Sequence, residues 1–336
     1  MEQLAWRITF HLKNHLVETQ IRGKHLGGIE LGSLPSYLFC PRCHLKLEMT
    51  NEELSCDNCN YCLVRKKNIW MPKNKEISKY KYWQDSDGTR LRERAEAEFS
   101  TSKFESTYYE KIIRSSLKIL NKNSLILELG AGDGRFTQLL GADNYVIVND
   151  INFNSLDRLS KLLNDESNII FICCSYDSLP IKKNSIDMIA AIECLYYSNN
   201  EFEFVLSNIL KLLKRDGLLL DSEPLIDGAI IYNLIENDFE HAQVNINRNL
   251  KIETIANSKI NGRLFSKNSI RKIMNDNNLN ILKEQDIPLI ISLISHLSAS
   301  QKNRTIVNTL TNLLNTYHED LPDSGRCFVT LSKKLR

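Results

Sequence analysis

The chain has 336 residues, 42% of them hydrophobic and 25% charged, and a formal net charge of +2. That length accommodates two domains with a sizeable core, and the near-neutral balance excludes a chain-wide basic surface of the kind that holds nucleic acid. No apolar run reaches the roughly 18 residues that a membrane-spanning helix needs. The first fifteen residues carry Glu2, Arg7, His11 and Lys13 among their apolar side chains, unlike the uninterrupted core of a secretory signal. The nine cysteines are therefore expected as thiols or metal ligands in a cytoplasmic setting. Residues 1–35 fit both a strand (Trp6, Ile8, Phe10, Leu12) and a helix face (Leu4, Ile8, Leu12, Leu16), and no function is assigned to them.

Residues 36–75 form the next unit. Cys40 and Cys43 make one C-x2-C pair, and Cys56 and Cys59 a second, with twelve residues between the pairs. Two such knuckles present four thiolates in the tetrahedral arrangement that suits zinc. Residues 45–49 and 53–55 read as the two strands of a connecting hairpin. Cys62, three residues after Cys59, is an alternative fourth ligand, and His44 a weaker one. A closed four-cysteine site has no open coordination position, so Zn2+ here is expected to be structural. From Arg65 to Lys81 seven basic residues face one acid, with Tyr80, Tyr82 and Trp83 close by. That is how single-stranded nucleic acid is held, and also how a solvated linker reads; residues 76–103 are taken as the linker.

The rest of the chain, 104–336, alternates helical and strand patterns. Residues 104–120 have helical periodicity, with Ile112, Ile113, Leu117 and Leu120 on the inner face and Tyr108 and Tyr109 on the same helix. An apolar strand then runs into Glu128-Leu129-Gly130-Ala131-Gly132-Asp133-Gly134. The three alternate glycines allow a sharp turn and a close ligand approach, and the helix after them aims its first amides at the same place. A dinucleotide turn would need a different glycine spacing. The second strand ends at Asp150, 16 residues after Gly134; an acid there can accept two hydrogen bonds from ribose hydroxyls. The third strand leads into Ser175, Tyr176, Asp177 and Leu179-Pro180, and the fourth, through Asp187, into Glu193-Cys194-Leu195-Tyr196-Tyr197. A fifth strand follows Gly217, a helix capped by Ser266 precedes a sixth at 279–284, and 326–331 reads as a seventh, antiparallel edge strand.

The motif E-x-G-x-G-x-G, with Asp150-Ile151-Asn152 downstream, resembles motif I and the ribose motif of class I S-adenosylmethionine (SAM)-dependent methyltransferases, in particular the ubiquinone-biosynthesis-like domain. The resemblance covers about 104–335 and implies an α/β, Rossmann-like seven-stranded sheet. It also implies SAM as cofactor, with Glu128, Gly130, Ala131, Gly132, Gly134, Asp150, Ile151, Ser175, Tyr176 and Glu193 around it. Many members have Asp where this chain has Ser175, which leaves adenine to Ser175, the Tyr176 backbone or Asp177. An aromatic on the approach helix closes over the cofactor in many members, so Tyr108 and Tyr109 divide between that role and core packing. Segment 36–72 resembles the zinc ribbons fused to some methyltransferases, including ribosomal RNA enzymes whose last ligand is commonly His, where this chain has Cys59.

Methyl transfer is an in-line displacement in which the protein mainly aligns the acceptor. Glu193 and Tyr196 are the candidate catalytic residues: Glu193 reads as a base, or as a helix cap or a partner of the methionine amine, with His241 a second base candidate, and Tyr196 and Tyr197 read as pocket walls or hydrogen-bond donors. Inserts at 224–265 and 287–322 are the candidate substrate-binding parts. A small-molecule or natural-product acceptor is the expectation. The alternative is an RNA base, held by the 65–81 stretch and stacked on Trp70 or Trp83, and a third reading is a SAM-binding partner protein without catalysis.

Overall fold

The structure is a computed structural model that describes residues 37–50, 53–73, 101–163, 168–235, 238–255, 258–288 and 325–335. The readings made for 1–35, for most of the linker with Tyr80, Tyr82 and Trp83, and for the bulk of the second insert lie outside them.

Five parallel strands form the centre of the sheet: β5 (Leu125–Leu129), β6 (Tyr145–Asp150), β7 (Ile169–Cys173), β8 (Ile186–Ile192) and β9 (Leu213–Pro224). Every residue of β5 and β6 is buried, as expected for parallel strands covered on both faces. The order β7-β6-β5-β8-β9 places β6 and β7 on one side of β5, and β8 and β9 on the other. The crevice between the carboxyl ends of β5 and β8 is thus the topological switch point, where sheets of this kind bind ligands.

Two antiparallel strands complete this side. β13 (Gly325–Lys334) pairs with β9, and β12 (Leu279–Pro288) pairs with β13. The expectation that 326–331 forms the edge strand is corrected: β13 lies between β9 and β12, and β12 is the edge. The alternation in β13 leaves its residues buried almost throughout, which an edge position would not provide.

The other side of the sheet is longer than the sequence implied. The ribbon strands β1 (Glu48–Thr50), β2 (Glu53–Ser55), β3 (Cys62–Lys66) and β4 (Ile69–Pro72) form an antiparallel meander. β4 then pairs in parallel with β7, with Ile69 opposite Phe171 and Trp70 opposite Ile172. The seven expected strands are therefore part of one 11-stranded sheet. The parallel edge of β7 is covered by the ribbon, which removes an open row of backbone donors and acceptors.

Helices cover both faces. α1 (Thr101–Leu117), α2 (Thr137–Gly141) and α3 (Phe153–Leu162) lie with the cluster containing Tyr109, Ile112, Ile113, Val146 and Leu159. α4 (Phe202–Leu210) and, further along, α7 (Lys267–Asp276) bury Phe202, Leu206, Ile270 and Met274 in the other cluster. That second cluster is continuous with the ribbon interior, Leu38, Leu47, Leu54, Leu63 and Trp70. Within the first insert, α5 (Ile226–Ile235) and α6 (Phe239–Arg248) precede a separate hairpin of β10 (Leu250–Ile255) and β11 (Ser258–Arg263). α7 begins at Ser266 with a reciprocal Ser266–Ser269 capping box, as the sequence indicates. Among the described residues no helix is long and apolar enough to cross a membrane.

Candidate active site and metal centre

Cys40, Cys43, Cys56 and Cys59 converge, with ligand atoms all within 4.8 Å of one another. The adjacent sulfurs are 3.1 Å (Cys40–Cys59) to 3.5 Å (Cys56–Cys59) apart. Zn–S bonds of about 2.3 Å in a tetrahedron put sulfurs about 3.8 Å apart, so a small outward relaxation admits the ion and the donor set fits zinc. Cys62 stands outside the cluster, its thiol turned to Glu53 at 3.5 Å, which leaves Cys59 as the fourth ligand position. His44 is not part of the cluster either; it takes φ +62° in the first knuckle, and its amide donates to the Cys40 carbonyl at 2.9 Å.

At the switch point, β5 ends in the glycine turn. Gly130 has φ +63°, and a Cβ there would lie 2.5 Å from the Cys194 Cβ; only glycine fits, because both the conformation and the neighbour forbid a side chain. Gly132, at φ +54°, is different: a Cβ there would meet nothing within 4 Å. The space above it is open to a ligand. The Ala131 amide donates to the Asn149 carbonyl at 3.1 Å, which ties the turn to β6.

Asp150 sits at the end of β6 with both oxygens engaged: Oδ2 accepts from the Gly132 amide and Oδ1 from the Asn152 amide, each at 2.7 Å. Burial pushes its carboxyl up, and those amides oppose the shift. Two acceptor directions remain on the carboxylate after these bonds. Ile151 lends its carbonyl to the Cys173 thiol at 3.4 Å. Glu128 is buried under the turn, accepting from Thr137 Oγ1 at 2.6 Å, and burial raises its carboxyl to about 7. Ser175 precedes a single 3-10 turn, 176–178, with no side-chain cap bond. The Tyr176 hydroxyl lies 3.2 Å from the ideal Cβ position of Gly130, so this side chain reaches the glycine turn itself. Asp177 is exposed.

Glu193, immediately after β8, takes φ +52°, a conformation that costs a non-glycine residue roughly 1–3 kcal/mol. Its Oε1 accepts from Arg326 at 2.6 Å and from the Tyr109 hydroxyl at 2.8 Å. Burial acts to raise this carboxyl, but the charges of Arg326, Arg135 and Lys251 and the Tyr109 bond outweigh it and hold it at about 2. So strongly stabilised a carboxylate has little basicity. Tyr109 is fully buried and also meets Ser222 Oγ at 2.8 Å, so it joins α1, β8 and β9 and packs beside Phe136. Tyr108 is partly buried on the same helix.

Tyr196 is buried, with its ring 4.0 Å from that of Tyr197 and Lys251 Nζ 5.2 Å above it. Gly262 of β11 lies so close to the Tyr196 ring that a Cβ would come within 2.4 Å. The β10–β11 hairpin therefore seats on the corner that follows β8. His241 is bonded to Asp238 at the start of α6, in a local helix-cap arrangement.

Several residues here were not legible in the sequence. Arg326, Arg135 and Lys251 come from three distant segments, and nothing local marks them as neighbours of Glu193. Asp221 and Glu223 had a signal that could have been read, two acids alternating on an apolar strand after Leu218-Leu219-Leu220. They are 1% and 0% exposed, and burial pushes both carboxyls up, Asp221 to about 7. Trp70 is only 6% exposed, which corrects its reading as a base-stacking platform.

Residues 127–220 match the family model described as a methyltransferase domain. An uncharacterized methyltransferase of Schizosaccharomyces pombe, C25B8.09, is 31% identical over 120 residues, 35% of this chain and 42% of that protein. Phosphoethanolamine N-methyltransferase 1 of Triticum aestivum is 37% identical over 98 residues, 27% of this chain and 20% of that protein. The matches span less than half the length of these curated relatives. Among solved structures, 1,6-didemethyltoxoflavin-N1-methyltransferase of Burkholderia thailandensis aligns with a TM-score of 0.48 at 13% identity, over 85% of this chain and all of that one. The glycine turn and the acid that ends β6 both lie inside residues 127–220, the segment that matches the methyltransferase domain model.

Proposed function

We propose that this protein transfers a methyl group from SAM to a small-molecule acceptor. The observation that carries the reading is the Asp150–Gly132 bond beneath an open Gly132: one acid fixes the turn and keeps two acceptor directions for ribose hydroxyls. Bound SAM would supply an electrophilic methyl on a sulfonium centre. Around it, Tyr109 and Arg326 hold Glu193 as a rigid, ionised wall, and Tyr196 closes the acceptor side under the β10–β11 hairpin. Glu193 acts in this reading as a positioning residue, since its low proton affinity suits it poorly to take a proton from the acceptor. The four cysteines would hold zinc with every position filled, so it builds the ribbon and does no chemistry.

The ribbon's basic residues favour the small acceptor over RNA. Lys67 bonds Asp157 of α3 at 2.6 Å and lies with Lys66 over the Phe153 ring. Lys73 pairs with Glu53, and Arg65 lies over Trp70. Each of these four basic side chains has a partner within the protein. The wheat relative, named for a low-molecular-weight acceptor, supports the same reading.

The test is calorimetric titration of SAM, followed by incubation of the full-length protein with methyl-labelled SAM and cell extract with and without RNase. Label in an RNase-resistant, low-molecular-weight product is expected. RNase-sensitive label would replace the small acceptor with RNA, and SAM binding without any transfer would favour the non-catalytic partner reading.

A further inference from the structure

We infer that the ribbon is part of the cofactor site: Tyr37 and Phe39 position the 174–179 loop against the glycine turn, so that zinc in the ribbon and SAM at the turn bind cooperatively. The inference rests on the SAM reading above and adds a metal-dependent element to that same site.

The loop follows β7 and lies between two ribbon contacts. Before it, Ile69 and Trp70 of β4 pair with Phe171 and Ile172 of β7. After it, the Phe39 amide donates to the Pro180 carbonyl and the Lys182 amide to the Tyr37 carbonyl, each at 2.9 Å. These bonds flank an antiparallel bridge of Leu38 with Ile181. Inside the loop the turn 176–178 has no side-chain cap bond, and the Ser178 amide donates to the Ser175 carbonyl at 3.1 Å. So short a turn has little rigidity of its own, and the loop lies where its two ends hold it.

Both sides of this contact reach a site. On the ligand side, the Tyr176 hydroxyl lies 3.2 Å from the ideal Cβ position of Gly130. Cys173 pairs with Asp150, and its thiol donates to the Ile151 carbonyl at 3.4 Å. Asn149 Nδ2 donates to the Ile172 and Cys174 carbonyls at 3.1 and 3.0 Å. The loop thus meets both the glycine turn and the end of β6. On the metal side, residues 37–40 belong to the first knuckle. Phe39 bridges Lys46, the Leu47 amide donates to the Leu38 carbonyl at 3.2 Å, and the Cys40 amide donates to the Leu45 carbonyl at 2.8 Å. One segment therefore serves knuckle and loop together, and it runs directly into Cys40. Leu38, Cys40 and Cys56 share a buried cluster with Leu179 and Ile181, and Cys59 and Tyr176 pack against it.

A unit of about forty residues holds too little core to fold without a metal or a cross-link, and a structural zinc supplies that folding energy. Without zinc, residues 37–40 lose the knuckle that orders them, and the loop loses one of its two anchors. SAM must then order the loop itself, which lowers its affinity. Linkage makes the effect reciprocal: bound cofactor raises the affinity for zinc by the same factor.

The experiment titrates S-adenosylhomocysteine into the zinc-loaded full-length protein, into the same protein after chelation, and again after zinc is restored. Affinity is expected to fall about tenfold on chelation and to return with zinc. Equal affinity in all three overturns the inference. Failure of the zinc-loaded protein to bind S-adenosylhomocysteine overturns the SAM reading, and the inference falls with it. A pair of variants separates positioning from a general loss of fold. Lys182→Pro deletes the amide that bonds Tyr37 and leaves the four cysteines in place, whereas Lys182→Ala keeps that amide. Lys182→Pro should retain about one zinc per chain while binding S-adenosylhomocysteine more weakly, and Lys182→Ala should bind it as the wild type does. Wild-type affinity in zinc-loaded Lys182→Pro, or an equal loss in both variants, overturns the inference. Where Lys182→Pro does not fold, the wild type decides. Saturating S-adenosylhomocysteine should raise the chelator concentration that removes half of the zinc, and an unchanged midpoint overturns the inference.

Discussion

Asp150 Oδ2 accepts the Gly132 amide at 2.7 Å, so the acid that ends β6 also sets the glycine turn that ends β5. One side chain therefore sets the shape of the glycine turn and, in the proposed function, the hydrogen bonds left for a ribose. Asp150→Ala removes both and is expected to weaken SAM binding by roughly tenfold or more. Asp150→Asn keeps the size but puts a donor where acceptors are needed, and should bind as poorly. Calorimetric SAM titration of both variants checks this; wild-type affinity in either would detach Asp150 from the cofactor.

Gly130 and Gly132 separate two uses of glycine. Gly130→Ala places a methyl 2.5 Å from the Cys194 Cβ and is strained in addition, so it should lose SAM binding and lower Tm. Gly132→Ala meets only the backbone strain and the incoming ligand. It should therefore stay nearer to wild-type Tm while losing affinity for SAM. A thermal-shift series with and without ligand distinguishes them.

The ribbon is joined to the cofactor strands by backbone bonds. The Phe39 amide donates to the Pro180 carbonyl at 2.9 Å, and the Lys182 amide to the Tyr37 carbonyl at 2.9 Å, besides the β4–β7 pairing. Removing the metal with a chelator, or Cys56→Ser, is expected to release about one zinc per chain and to expose the β7 edge. Hydrogen exchange should then rise in 169–173 as well as in the ribbon. Faster exchange confined to the ribbon would show that the two parts open independently.

The buried pair on β9 sets a pH dependence. Asp221 ionises near 7 in the folded protein, against an ordinary value near 3.8, so the folded state holds the proton more tightly than the unfolded chain. Between those values the folded form binds more protons, and stability falls as pH rises from about 4 to about 7. Asp221→Asn abolishes that proton exchange. Its Tm relative to wild type should rise steadily across this window, and a constant difference would exclude the pair as the cause.

Glu193→Gln removes the charge that three cations stabilise. Because the wild-type carboxyl lies near 2, Glu193 stays ionised across the range from pH 5 to 9. The pH profile of transfer should therefore keep its shape in Glu193→Gln while its height drops. An acidic limb that disappears in the variant would instead identify Glu193 as the proton acceptor.

The sequence by itself determined the local pieces. The apolar runs of β5 and β6, the alternate glycines, the acid 150, the paired cysteines and the Ser266 cap are each written in contiguous residues, because strand burial, turns, knuckles and caps are short-range. Tertiary structure alone decided what lies between these pieces. Pairing of β4 with β7 depends on an edge that no local pattern marks, and β13 enters between β9 and β12 although it follows both among the described strands. Arg135, Lys251 and Arg326 meet Glu193 from 58, 58 and 133 residues away in sequence, as only folding can bring them. Their charges turn a candidate base into a fixed wall, since a carboxylate's proton affinity is set by its neighbours in space rather than in the chain.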